Sequence, residues 1–487
     1  MGSYLLVFVI AAAAAALYLP LATVLARKIG ALDDTRDPPV PRIGGLAIAL
    51  GCVTSLLLVS LVFQPTALTL LATSRSLIPV GGGAAAILLL GLVDDARPLR
   101  AGVKFGVQIA IAAAVYWAGI RVELLSLPFG TADLGAAVGF VVTVVWLVGI
   151  ANAFNLLDGA DGVAAGSAFF AAAAVFLMSV TLGNPAIGLV MAALAGAMLG
   201  FLPFNFPPAR AFLGDSGSLV AGFLLAGFAV EGSTKGPTLV AIAVPLVAFG
   251  VPVFDTTITL IRRLVRGRSL FEPDREHVHH RLARAGFSPR QVAMVIYAAS
   301  AAFAVGAMLF INPGLRSYAV ALLVIGAGVW IMARRLRFHE LNELARLARK
   351  GTLQPRAVAV NVELRRAVER LSRADSLDDL MDGLSILFRR SEFDGVLLLV
   401  TAVGERRGHA RKWRLEGEAF VEGWPERLHD EWEVVCPFGG GGWRGELHLR
   451  RRLGRRSLLL DLNLLLELVQ PTLQDAAERI EVPVAIP

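Results

Sequence analysis

"VVTVVWLVGIANAFNLLDGADGVAAGSAFF" (residues 141–170) runs from an apolar stretch into a polar island and out into a second apolar stretch. The island, 152–162, holds Asn152 and Asn155, then Asp158 and Asp161, each pair three residues apart. Crossing the hydrocarbon core of a bilayer takes about 20 mostly apolar residues, and the flanking runs meet that length. The stretch therefore reads as two membrane helices joined by a polar turn. Asn152 and Asn155 fall on one helical face, and Asp158 would join them if the helix continued. Gly159 and Gly162 argue for a break there, which leaves backbone free to approach a ligand.

The same reading extends along the chain. Of its 487 residues, 56% are hydrophobic and 17% charged, against about 25% charged in a soluble domain. Eleven candidate spans fall near 4–26, 43–63, 77–93, 103–120, 134–151, 163–182, 185–204, 216–232, 237–261, 291–311 and 316–333. Up to residue 333 there are 20 Lys and Arg, and only Arg75, Arg121, Lys235 and Arg316 lie in the loops of one side. The positive-inside rule makes the opposite side cytoplasmic and puts the N terminus outside. The expectation is an all-α polytopic membrane protein, 1–333, followed by a cytoplasmic α+β domain, 334–487.

The net charge of +7 comes largely from this membrane bias. No Lys/Arg tract interleaved with aromatics points to nucleic acid. Two cysteines, Cys52 and Cys436, exclude a disulfide framework or a cysteine zinc cluster. The first apolar run lacks a basic leader and reads as a first span, not a cleaved signal.

Acidic residues segregate too, with 12 of the 15 before residue 333 on the cytoplasmic side or in the last turns leading to it. Five stretches there carry polar groups: "DDTRDPPVPRIGG" (33–45), "GLVDDARPL" (91–99), the opening island, "NFPPARAFLGDSGSL" (205–219) and "RRLVRGRSLFEPDREHVHHRL" (262–282). Adjacent Asp94 and Asp95 repel unless a cation neutralises them. Hard oxygen ligands suit Mg²⁺, which takes one or two carboxylates plus substrate phosphates. Asp215 is a further candidate ligand. His277, His279 and His280, with Arg262, Arg263, Arg266, Arg268 and Arg275, form a basic wall suited to a pyrophosphate. "HVHH" lacks the cysteines or HExxH spacing of a zinc site. "DGADG" lacks the later ligands of a calcium loop. A transporter or flippase is the rival class, but its ionisable groups usually sit near the bilayer midplane and its halves often repeat. These acids sit at helix ends, with no repeat.

In their order, "PVPRIGG", "GLVDD", "NAFNLLDGADG", "NFPPARAFLGDSGSL" and "FEPDREHVHHRL" resemble the polyprenyl-phosphate N-acetylhexosamine-1-phosphate transferases of glycosyltransferase family 4. The resemblance covers about 1–330 and implies a bacterial plasma-membrane enzyme with its active site at the cytoplasmic face. It implies transfer of a sugar 1-phosphate from a UDP-N-acetylhexosamine to undecaprenyl phosphate, with UMP released and a cell-envelope glycan begun. Mg²⁺ is the implied cofactor, with Mn²⁺ as an alternative. Asp215 and Asn155 are then the metal ligands, and Asp94 or Asp95 engages or deprotonates the lipid phosphate. Asp158 and Asp161 bind nucleotide or support catalysis. Arg42, Asn205 and Phe212 line the nucleotide pocket, Asn152 binds substrate, and Arg263, His277, His279 and His280 hold phosphates and sugar. "PDREHVHHRL" favours the GlcNAc-1-phosphate branch over the enzyme that makes lipid I. The first loop is several residues shorter than the family's and lacks its usual basic residues and His. A homodimer is left open, as is a partner for the C-terminal domain.

Beyond the resemblance, "ARRLRFHELNELARLARK" (333–350) is a basic exit segment able to lie on anionic lipid. A helix near 376–390, strands at 394–402, 409–416, 431–437 and 443–450, and a helix at 458–480 interrupted by Pro471 suggest a small α+β module, GAF-like by analogy only. "FGGGGW" (438–443) lacks the Lys-Ser/Thr of a phosphate loop and reads as a turn.

Overall fold

A computed structural model of the chain describes residues 2–122, 124–127, 130–233, 244–265, 277–309, 320 and 326, and in the C-terminal part 368–388, 393–402, 411–416, 419–423, 425, 430–440, 443–452 and 462–480. The chain divides into two compact units, Met1–Leu260 with Pro273–Leu336 and Ile261–Glu272 with Arg337–Pro487.

The first unit is helical: α1 (Gly2–Ile29), α2 (Gly44–Val62), α3 (Gln64–Ala72), α4 (Ser74–Ala96), α5 (Ala101–Trp117), α6 (Gly135–Leu157), α7 (Val163–Thr181), α8 (Pro185–Asn205), α9 (Gly214–Ser233), α10 (Gly250–Val265, continuing into the second unit), α11 (Val278–Arg284) and α12 (Pro289–Met308). Seven of these are long and apolar enough to cross a membrane: α1, α2, α4, α6, α7, α8 and α12. α5 and Gly250–Ile261 are shorter apolar helices. The chain is thus a multi-pass membrane protein. The count of eleven spans is not reproduced. The eighth expected span appears as α9 and part of the ninth as α10, while 316–333 lies almost wholly outside the described residues.

Leucines such as Leu17, Leu61 and Leu89 are largely exposed on these helices, where lipid tails solvate them. Inside, small residues bring helices together. A Cβ added to Gly45 of α2 or Gly91 of α4 would run into backbone of Gly217 or Ser216 on α9. Close approach of three helices therefore meets at the first turn of α9, where Asp215 sits.

Two hairpins join helices. β1 (Leu32–Asp33) pairs antiparallel with β2 (Val40–Pro41), and β3 (Leu124–Leu127) with β4 (Gly130–Asp133). The first hairpin is tied to the segment before α9: Phe212 N–H donates to Pro41 O at 2.8 Å, and Gly44 N–H to Phe212 O at 3.0 Å.

The second unit holds a five-stranded antiparallel sheet in the order β7-β6-β5-β9-β8, from β5 (Gly395–Ala402), β6 (Arg411–Glu416), β7 (Ala419–Glu422), β8 (Glu431–Gly440) and β9 (Trp443–Arg452). With α13 (Leu377–Phe388) and α14 (Leu462–Arg479) it encloses a core including Leu384, Phe388, Leu398, Leu447, Leu449 and Leu473. On β8, Glu433 accepts from Arg450 and His448 of β9. Burial works to raise the Glu433 carboxyl, but the hydrogen bonds from Arg450 and His448 outweigh it and hold it below the usual range.

Two local expectations need correcting. α14 runs through Pro471 without a break. Proline removes one backbone donor, and burial of Val469, Leu473, Ala476 and Ala477 on either side offsets that loss. The turn expected at 438–443 is also shorter, because Phe438–Gly440 continue β8 and Trp443 begins β9.

Candidate active site

The polar island breaks where its glycines stand. α6 ends at Leu157, and Gly162, at φ +75°, precedes α7. The turn between them, Asp158–Asp161, lines a cavity of about 430 Å³ with Asp33, Arg36, Arg42, Asn155, Phe212 and Asp215.

Asp215 opens α9, and its neighbours fix it from three directions. Asp95, buried at the end of α4, accepts from Asp215 N–H at 2.8 Å and Ser216 N–H at 3.0 Å. Its carboxylate thereby satisfies two of the donors that every helix start leaves open. Asn155 Nδ2 donates to Asp215 Oδ1 at 2.8 Å and to Ser218 Oγ at 3.0 Å. On the other side the Lys104 ammonium contacts Asp215 Oδ2 and also reaches Asp94 Oδ2 at 3.2 Å. Two carboxylates thus converge on one cationic position, with Asn155 beside them.

The pair Asp94–Asp95 is divided by its surroundings. Both Asp95 oxygens are engaged by the start of α9. Asp94 faces Lys104 and accepts Leu99 N–H at 2.8 Å.

Asp158 and Asp161 also differ. Burial, then the nearby charge of Asp95, pushes the Asp158 carboxyl well above its ordinary range, although Arg42 and a backbone bond from Gly214 pull the other way. Asp161 accepts both guanidinium arms of Arg36, at 2.7 and 3.0 Å, and Ala209 N–H at 3.0 Å. Arg36 lies over the Phe212 ring, 4.9 Å from its centroid. Asp161, Arg36 and Phe212 therefore bind three loops into one wall of the cavity.

The histidines form a second wall. His277 and His279 are buried and stack at 5.8 Å with an interplanar angle of 6°. His279 has no hydrogen-bond partner on either ring nitrogen among the described residues. Burial, then the charge of His280, pulls its pKa down to about 4, so the ring is neutral at neutral pH. A Cβ added to Gly159 would sit 2.8 Å from His279 Nε2, so this wall abuts the cavity-lining turn.

Three further expected residues have other surroundings. Asn152 donates to Gln108 of α5 and to Val148 O. Asn205 is buried and donates to Ala211 O at 2.9 Å, holding the segment before α9. Arg263 lies in the last turns of α10 and is buried.

Three contributors escaped the sequence reading. Lys104 is the one charge within α5, and Asp255 the one acid within α10. An ionisable residue inside a span is a functional candidate by default, and that signal was available for both. Arg36 gave none, since its role depends on loop docking.

Among the described residues, no three His, Cys, Asp or Glu side chains group as a ready-made metal centre. Asp94 and Asp215, with the Asn155 amide, do fit a hard cation that takes its remaining oxygens from phosphate and water.

The chain is a multi-pass membrane protein with a polar cavity beside the ends of α6 and α4. The comparisons narrow the class. Residues 77–233 match Glycosyl transferase family 4. A probable undecaprenyl-phosphate N-acetylglucosaminyl 1-phosphate transferase of Bacillus subtilis is 36% identical over 297 residues, covering 60% of this chain and 80% of the relative. A decaprenyl-phosphate N-acetylglucosaminephosphotransferase of Mycobacterium tuberculosis is 34% identical over 348 residues, covering 64% and 84%. A phospho-N-acetylmuramoyl-pentapeptide-transferase of Staphylococcus aureus is 30% identical over 288 residues, covering 56% and 85%. The chain belongs to glycosyltransferase family 4.

Proposed function

We propose that the protein transfers N-acetylglucosamine 1-phosphate from UDP-GlcNAc to undecaprenyl phosphate at the cytoplasmic membrane face and releases UMP. The observation that carries this reading is the convergence of Asp94, Lys104, Asp215 and Asn155 beside the cavity. Phosphoryl transfer asks mainly for positioning and charge neutralisation, and this cluster offers both.

The surroundings supply separate approaches for two substrates. The nucleotide enters the polar cavity, where Arg42, Asp158, Asp161 and Phe212 hold it. An apolar groove of about 500 Å³ runs along α6 from Val141 to Ala153, with Val253 and Thr257 of α10 on its other side. Asn155, which lines the polar cavity, is half a turn further along α6. A polyprenyl chain in that groove brings its phosphate towards Lys104 and Asp94. Lys104 orients the phosphate, and Asp94 takes its proton. The freed phosphate oxygen forms a bond to the β-phosphorus of UDP-GlcNAc, the bond from that phosphorus to the bridging oxygen breaks, and UMP leaves. Asp215, Asn155 and Asp94 would hold Mg²⁺, and the ion would supply charge neutralisation for the pyrophosphate. The imidazoles of His277, His279 and His280 hold the pyrophosphate and sugar.

Purified protein given undecaprenyl phosphate and UDP-GlcNAc releases UMP in proportion to enzyme, and chelation of divalent cations stops it. No UMP under these conditions overturns the reading. UMP from UDP-MurNAc-pentapeptide instead reassigns the chain to lipid I synthesis.

The facing of the site has its own test. In a chain lacking Cys52 and Cys436, Phe287→Cys, exposed between α11 and α12, resists an impermeant thiol reagent added outside intact cells and reacts after permeabilisation. Labelling of intact cells reverses the topology.

A further inference from the structure

We infer that Asp255 is a positioning residue for the proposed transfer: it fixes the orientation and the tautomer of His277. The inference rests on the reading above for its catalytic consequence, but its geometry stands apart from it.

Asp255 is a buried carboxylate, 2% exposed, within the otherwise apolar first part of α10. Burying a charge there is unfavourable unless hydrogen bonds compensate. Both oxygens are compensated by the start of α11: Oδ1 accepts Val278 N–H at 2.8 Å, and Oδ2 lies 2.9 Å from His277 Nδ1. Thr259, one turn along α10, places its hydroxyl 3.5 Å from the same nitrogen. One side chain therefore caps α11 and grips the residue at its N-cap.

The chemistry follows from the acceptor. A carboxylate can only accept, so His277 Nδ1 carries the proton and donates it to Oδ2. Nε2 becomes the one ring atom of His277 able to serve a ligand. A partner on one imidazole nitrogen sets which face of the ring chemistry the other presents. The ring plane is fixed as well, because His277 stacks parallel on His279, which abuts the cavity-lining Gly159. A rotated His277 would disturb that whole wall.

Asp255→Asn separates positioning from capping. The amide oxygen still accepts Val278 N–H, but the amide nitrogen is a donor and cannot receive the Nδ1 proton. His277 is forced to place its proton on Nε2. Expected results are a folded protein with an unchanged Tm and a kcat lowered about 10- to 100-fold, the usual cost of losing such an orienting partner. The KM for UDP-GlcNAc changes less. In a His277→Asn background, Asp255→Asn costs nothing further, because its effect acts through that ring. Independent, multiplicative losses overturn the proposal.

A second measurement needs no Asp255 variant to fold. In protein labelled with ¹⁵N in the histidine rings, the His277 signals, assigned by their loss in His277→Asn, show a protonated Nδ1 in the wild type. A proton on Nε2 and none on Nδ1 overturns the tautomer assignment. If the wild type releases no UMP while Nδ1 is protonated, the function fails and the Asp255–His277 pairing stands.

Discussion

Asp215→Asn lowers kcat for UMP release by about 100- to 1,000-fold, a typical cost of removing one key electrostatic group at a reacting centre, while the protein still inserts and folds. The structural reason lies in its two oxygens. One accepts from Asn155, and the other meets the ammonium that also reaches Asp94. An amide keeps the size but gives up half the oxygen donors and the negative charge, and a hard cation prefers the carboxylate. Whichever way the amide turns, its NH₂ faces a donor, either Lys104 or Asn155. The main cap of α9 comes from Asp95 through backbone N–H groups, so the helix start survives the change. Purified variant and wild type are compared at equal folded protein and ordinary Mg²⁺. Activity near wild type removes Asp215 from the centre of the chemistry.

Much of this site was legible because of what surrounds it. In a chain of apolar helices, the cluster at 152–162 had few explanations other than a turn that meets a ligand, and its glycines marked the break at Leu157. Spans were legible for the same reason, since α1, α2, α4, α6, α7, α8 and α12 lie over expected apolar runs. α3, nine residues long between two spans, was too short to register against the length rule. β7 pairs over only four residues, which is near the limit of any alternation signal. Pro471 read as a break because the helix was judged without the sheet that buries its neighbours.

Partnerships were much less legible than elements. Nothing in the spacing of Asp94 and Asp95 reveals that one caps α9 while the other faces Lys104. That division depends on α4 crossing α9 at Gly91, where a Cβ would strike Ser216. Lys104 reaches Asp215 over more than a hundred residues of sequence, and Asp161 reaches Arg36 over a similar gap. Such pairs are set by helix packing, which a single sequence records only as a surplus of small residues. The resemblance supplied residue identities in order. Geometry supplied who holds whom, as in the bond from Asn152 to Gln108.

Gly214→Ala is the second change expected to have a large effect, and it contains no charge at all. Gly214 has φ +72°, a conformation that costs an L side chain about 1–2 kcal/mol. Space adds to the strain, because a Cβ there would overlap Arg42 O and approach Asp95 Oδ2 to 2.7 Å. Neither atom can give way freely. The Arg42 carbonyl belongs to a loop pinned through Pro41 to Phe212, and the Asp95 carboxylate holds the first N–H groups of α9. Relief of the overlap therefore displaces either the loop that carries Arg42 or the helix start that carries Asp215. A displacement of about 1 Å at a reacting centre can cost roughly 100-fold in rate, and that is the expected fall in kcat, with a lowered Tm. Gly286→Ala is the control. Gly286 has φ +91° with open space around its would-be Cβ, so it carries the backbone strain without the collision. It should lose some stability and keep its turnover. If Gly214→Ala matched Gly286→Ala in kcat at equal folded protein, the spacing between the first loop and α9 would not control the site.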